Sequence, residues 1–140
     1  MTYGEAFTVQ PFNNLVVTQS LTGAQIKSTL EQSWINCFGR TQATVILQVS
    51  AELHYSYDAT HACGSRITAI IVNGTPIDPT ATYKVAMNNF LADGGDSFPG
   101  FKAGTGRVYA PGFDVDALTA YLGAHSPVAP GPQNRIATAP

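Results

Sequence analysis

The sequence predicts an α+β domain, a single unit with a mixed or antiparallel sheet and two main helices packed on it. Three observations point there. Two stretches repeat apolar residues at helical spacing, about five or six short runs are rich in β-branched residues, and the two kinds do not alternate as βαβ units do. The chain has 140 residues, enough to bury one core. No internal repeat, charge block or linker divides residues 1–140.

The elements follow in order. "LVVTQS", Leu15 to Ser20, reads as a strand. Thr22 and Gln25 have capping-box spacing, in which each side chain accepts from the other's backbone amide. Behind them Ile26, Leu30 and Trp34 recur on one stripe, which predicts a buried helix face running toward a stop at Gly39, with Arg40 near its carbonyl end. "TVILQVS", Thr44 to Ser50, and "LHYSYD", Leu53 to Asp58, read as two strands. In the second, Leu53, Tyr55 and Tyr57 share a face. "RITAIIVNG" is a strand ending in the turn signal Asn73-Gly74. "TPIDPTAT" is a loop, and "YKVAMN", Tyr83 to Asn88, is another strand. Asp114 is the expected cap of a second amphipathic helix whose apolar face is Val115, Leu118, Tyr121 and Leu122. "SPVAPGP" ends it, and a short strand is expected at "RIAT".

Composition narrows the function. Only 11% of residues are charged and the net charge is −2, against about a quarter charged in a typical domain. Seven scattered basic residues give no footprint for nucleic acid or an anionic membrane. No apolar run reaches bilayer length. The start, "TYGEAF", has no basic region of a signal peptide, and reads as a cut inside a larger protein. Cys37 and Cys63 are too far apart for a CxxC motif. Two buried thiols and one disulfide are both compatible with the sequence.

Catalytic groups are scarce. His54, Asp58 and His61 match no zinc spacing, and are better read as surface residues. Ser97 has no local group to activate it as a nucleophile. "GTGR", Gly104 to Arg107, and "ADGGD" lack the phosphate-loop patterns, and an acid beside the glycines would repel phosphate. The run "NNFLADGGDSF", Asn88 to Phe98, stands out instead. Two adjacent glycines give up backbone order, and Asp96 follows them. A carboxylate there suits sugar hydroxyls or a turn contact, because it accepts from two O–H donors. Phe12, Phe90 and Phe98 are either core residues or stacking surfaces for a planar base.

Two segments resemble the 5'-nucleotidase C-terminal domain. "TYGEAFTVQPFNNLVVTQSLTGAQIKSTLEQ" is similar to its T-x-G-[ED] turn, Pro-Phe, apolar strand and "LTG" helix. "VNGTPIDPTATYKVAMNNFLADGGDSF" resembles its G-x-P-[IL]-D, T-Y-x-V and N-x-F-L-A-x-G-G-D-x-F hallmarks. The match keeps one order from about Thr2 to Phe98. The resemblance implies a secreted, periplasmic or cell-surface parent. In it, an N-terminal metallophosphoesterase domain with two divalent metals does the chemistry, and this chain supplies no cofactor. The implied ligand is a nucleotide or nucleoside, with Phe12 and Phe90 clamping the base, Asp96 binding the ribose hydroxyls and Asn14 near the base. Phe98 is expected to pack.

Departures also matter. The family's domain begins earlier, with N-x-G-G-[IV]-R, and nothing before Thr2 matches it, so the domain reads as incomplete at its N-terminal side. Ser97 stands where glycine is common. An alternative reading is a non-catalytic interaction or structural module that self-associates through exposed strand edges.

Overall fold

The computed structural model describes residues 2–138. The chain begins with a helix, α1 (Tyr3–Val9), where the sequence suggested only a turn. Its cap is a reciprocal pair: the Thr2 hydroxyl accepts from the Glu5 amide at 3.3 Å, and the Glu5 carboxylate accepts from the Thr2 amide at 2.6 Å. The spacing T-x-x-E was readable, and it is the signature of such a start. Residues 10–14 then lead into strand β1 (Leu15–Thr22), whose Val17, Gln19 and Leu21 alternate inward.

Helix α2 (Gly23–Leu30) starts as expected. The Gln25 amide donates to Thr22 Oγ1 at 3.2 Å and the Thr22 amide to Gln25 Oε1 at 2.8 Å. Gly23 is obligatory, since a Cβ there would overlap the Asp78 carbonyl oxygen. The helix is shorter than the apolar stripe implied. It tightens into a 3-10 turn at Glu31–Ser33, and Trp34 is already extended. Trp34 remains buried, but a coil delivers it, and left-handed residues Asn36, Phe38 and Gly39 carry the chain onward.

Two sheets form instead of one. The first is antiparallel, with strand β5 (Thr82–Asn88), β1 and β6 (Thr105–Phe113) in that order. The second contains β4 (Thr75–Pro76), β3 (Ile67–Val72), β2 (Leu53–Tyr57) and β7 (Ile136–Thr138), the last pair parallel. The Asn73-Gly74 turn joins β3 to β4 with both residues at positive φ, as a tight hairpin requires. Leu21, Ile26, Leu30, Trp34, Cys37, Tyr55, Ile67 and Ile70 form one apolar core that draws on β1, α2, β2 and β3. The Trp34 and Tyr57 rings meet edge-on at 5.2 Å.

Other parts of the chain also depart from the sequence reading. "TVILQVS" is no strand: Tyr55 and Arg135 side chains donate to the Leu47 and Val49 carbonyls at 2.8 and 2.9 Å, and Ile46, Leu47 and Val49 lie on the core. Side-chain donors take carbonyls that a neighbouring strand would use. Strand β6 was not foreseen, because Gly106, Pro111 and Gly112 interrupt its pattern. It tolerates them as an edge strand with two register shifts against β1. Helix α4 (Asp114–His125) has Phe113, not Asp114, at the cap position. The Phe113 amide donates to Asp116 Oδ2 at 2.9 Å, while Asp114 Oδ1 accepts from the neighbouring Val115 amide. Val115 is buried, but Tyr121 is exposed and stacks on His125 at 4.4 Å.

Cys37 and Cys63 form a disulfide with Cα atoms 5.5 Å apart. The buried Glu31 carboxylate fixes the same neighbourhood, accepting from the amides of Ile67 at 2.7 Å, Gly64 at 3.1 Å and Arg66 at 3.2 Å. Three amides satisfy buried acceptor oxygens that would otherwise lack partners.

Candidate functional site

The pairing of β1 with β5 builds the site. Val16 stands opposite Asn88, so the start of β1 lies beside the end of β5. The loop of residues 10–14 therefore leads into the sheet where β5 turns into the short helix α3 (Asn89–Ala92). Two asparagines lock this corner. Asn89 Oδ1 accepts from the Leu15 amide at 2.7 Å, and Asn88 Oδ1 caps α3 by accepting from the Leu91 amide at 2.8 Å.

Phe12 and Phe90 flank that corner. Phe12 is 78% exposed and Phe90 47%, whereas Phe98 is fully buried and packs against Phe101 with ring centres 6.2 Å apart. The three phenylalanines thus divide into two surface rings and one core ring. Asn14 is half-buried, and its carbonyl accepts from the Asp114 amide at 2.8 Å. Its neighbour Asn13 bends the chain at φ 51°.

The glycines of "GGD" have separate reasons. Gly94 has φ 83°, a left-handed angle that glycine adopts without a steric penalty. Gly95 needs no special angle but has no room: a Cβ there would lie 2.5 Å from the Phe90 ring and 2.6 Å from the Phe90 carbonyl oxygen. Asp96 follows at φ 50° and is exposed, with the half-buried Ser97 at φ 59°. The loop folds back against Phe90, and no hydrogen bond among the described residues engages the Asp96 carboxylate.

Two arginines fix these pieces. Arg107 of β6 donates to Gln19 Oε1 at 3.0 Å, to Asp93 Oδ1 at 2.6 Å and to the Ala92 carbonyl at 2.7 Å. It ties β1 to the end of α3, and the Asp93 carboxylate raises its pKa further. The "GTGR" stretch is therefore the start of a strand, with its arginine already engaged. Arg40, only 2% exposed, donates to the Asp96 carbonyl at 2.5 Å and lies 4.5 Å over the Phe98 ring. Burial lowers its pKa, against the opposing pull of Asp96. Sequence reasoning placed Arg40 only at a helix end. Its one signal was a lone arginine in a weakly charged segment.

Among the described residues the histidines are engaged locally. The His54 ring nitrogens face the Ala51 and Asn134 carbonyls, and His61 lies 3.4 Å from Asp58. Among the described residues no three His, Cys, Asp or Glu side chains converge as metal ligands. The two histidines and Asp58 hold their own loops. His125 is also occupied, at the Tyr121 carbonyl. A cleft of about 560 Å³ between residues 46–49 and 131–136 contains none of the candidate residues.

The sequence of residues 1–103 matches the family model described as "5'-nucleotidase, C-terminal domain". The chain belongs to this family. It is 34% identical over 142 aligned residues to a 5'-nucleotidase-related protein of Glossina morsitans morsitans, covering 96% of this chain and 25% of that protein. A cell wall protein of Listeria monocytogenes is 36% identical over 107 residues, covering 73% of this chain and 13% of the other. The crystal structure of a 5'-nucleotidase precursor from Thermus thermophilus superposes with a TM-score of 0.85 at 35% identity. That match covers 99% of this chain and 28% of the other. This family member thus spans between about an eighth and a little over a quarter of the length of these relatives.

Proposed function

We propose that this chain is the nucleoside-binding specificity domain of a metal-dependent 5'-nucleotidase. Phe12 and Phe90 hold the base between them, Asp96 accepts from the two ribose hydroxyls, and Asn14 lies near the base. The observation that carries the reading is the position of two exposed phenylalanines at one end of the β1–β5 ladder, beside a glycine-shaped loop bearing a carboxylate. Solvent-exposed aromatic rings gain by stacking on a base, roughly 1–3 kcal/mol per base. An ionised carboxylate can accept from both hydroxyls of a diol.

On this reading the phosphoryl chemistry, with its two divalent metals, belongs to an N-terminal metallophosphoesterase domain of the same parent protein. This chain supplies binding at the non-reacting end of the substrate, which holds the phosphate in a reactive position. The cell wall relative supports a secreted or cell-surface parent. The test is an NMR titration of the labelled chain with adenosine, alongside Phe12→Ala and Phe90→Ala. Saturable shifts at Phe12, Phe90 and Asp96 that disappear in both variants support the reading. A well-dispersed spectrum with no shifts at millimolar adenosine refutes it for this chain.

A further inference from the structure

We infer that Arg40 is a positioning residue for the Asp96 loop, setting the direction of the carboxylate from beneath. The inference rests on the reading that Asp96 accepts from the ribose.

Arg40 is buried, and its three donor groups meet backbone carbonyls in three separate segments. Nε donates to Gln32 at 2.7 Å, Nη1 to Ala43 at 3.1 Å and Nη2 to Asp96 at 2.5 Å. Its planar group also lies on the buried Phe98 ring. Among the described residues no carboxylate forms a salt bridge with it. A buried cation held by carbonyls is a weak device for stability, because desolvation opposes it. It is a good device for geometry, because a planar fork fixes several directions at once.

The loop it grips needs such a hold. Gly94, Asp96 and Ser97 all have left-handed φ values, 83°, 50° and 59°. Non-glycine residues keep such angles only when their surroundings impose them. The loop's own bonds are local: the Gly94 amide donates to Leu91 and the Phe98 amide to Gly95. Among the described residues, the Arg40 bond to Asp96 is the one hydrogen bond that reaches residues 94–97 from outside residues 89–98. Arg40 therefore orients the peptide from which the Asp96 carboxylate projects. The Cys37–Cys63 bond anchors the coil that carries Arg40.

The test compares adenosine with 2',3'-dideoxyadenosine, which lacks the diol, by titration of the chain and its variants. The expected wild-type preference for adenosine is roughly tenfold, the scale of one charge-assisted hydrogen bond. Asp96→Ala should abolish it. Arg40→Gln should abolish it too, with dideoxyadenosine affinity unchanged, and Arg40→Lys should keep an intermediate preference. No preference in the wild type, or a preference that survives Asp96→Ala, defeats the ribose reading and this inference together. A preference lost in Asp96→Ala but retained in folded Arg40→Gln overturns the Arg40 inference alone, as does an equal loss for both ligands. If Arg40→Gln does not fold, the wild-type side chain decides. Its guanidinium nitrogen signals should shift with adenosine and stay fixed with dideoxyadenosine, and an equal response to both overturns the inference.

Discussion

The ring of Phe90 fills the space that a side chain at Gly95 would need: a Cβ built there lies 2.5 Å from ring atom Cε1. The aromatic surface and the glycine loop are thus one packed unit, and neither can change without moving the other.

Gly95→Ala is therefore expected to displace Phe90 and the Asp96 loop together. Overpacking of this kind costs about 1–3 kcal/mol. Adenosine affinity should fall in parallel with stability, as measured by titration and thermal melting of the same preparation. A stable Gly95→Ala variant with unchanged affinity would separate Phe90 from the site.

The phenylalanines should divide by burial. Phe98→Ala removes a fully buried ring and is expected to destabilise the fold by about 3–5 kcal/mol. Phe12→Ala, at a ring that is mostly in solvent, should leave the melting temperature nearly unchanged. Denaturant titration of both variants checks the contrast, and comparable losses would contradict the assignment of Phe12 to the surface.

The Cys37–Cys63 bond closes a loop with sequence separation 26. Replacing both cysteines by serine should cost about 2–4 kcal/mol, largely through the freer unfolded chain. The same loss should follow full reduction of the wild type, measured as a lower denaturation midpoint with dithiothreitol than without it.

Acid stability has two identifiable contributors. Asp58 and Asp78 have pKa values lowered chiefly by hydrogen bonds from the Thr60 and Thr80 side chains and amides. Their folded pKa values lie below their unfolded ones, so their stabilisation is complete above the unfolded value. It is lost as pH falls through the folded values. Thr60→Val and Thr80→Val should flatten the decline of stability below about pH 4. A decline of unchanged steepness in the double variant would show that other carboxylates dominate.

Much of the architecture was legible in local pattern. The Thr22–Gln25 cap, the shared face of Leu53, Tyr55 and Tyr57, and the Asn73-Gly74 hairpin each depend on neighbours within a few residues. The family hallmark around Gly94-Gly95-Asp96 was equally local. Helix α1 was legible in principle, since Thr2 and Glu5 carry the same reciprocal spacing as Thr22 and Gln25. The disulfide was left open because two cysteines in loops say nothing of the distance between them.

What remained was decided by contacts distant in sequence. Residues 44–50 have strong strand character, yet Tyr55 and Arg135 side chains occupy two of their carbonyls. Strand β6 forms across its glycines and proline because β1 offers it a ladder, even with shifted register. Arg40 reaches Asp96 across 56 positions, and no periodicity records such a bond. Caps, turns, strand faces and the glycine loop were already set by the order of residues, since they follow from local sterics and hydrogen bonding. Which carbonyls a side chain would claim, and which phenylalanines would face water, waited on folding, because burial is a property of the assembled chain.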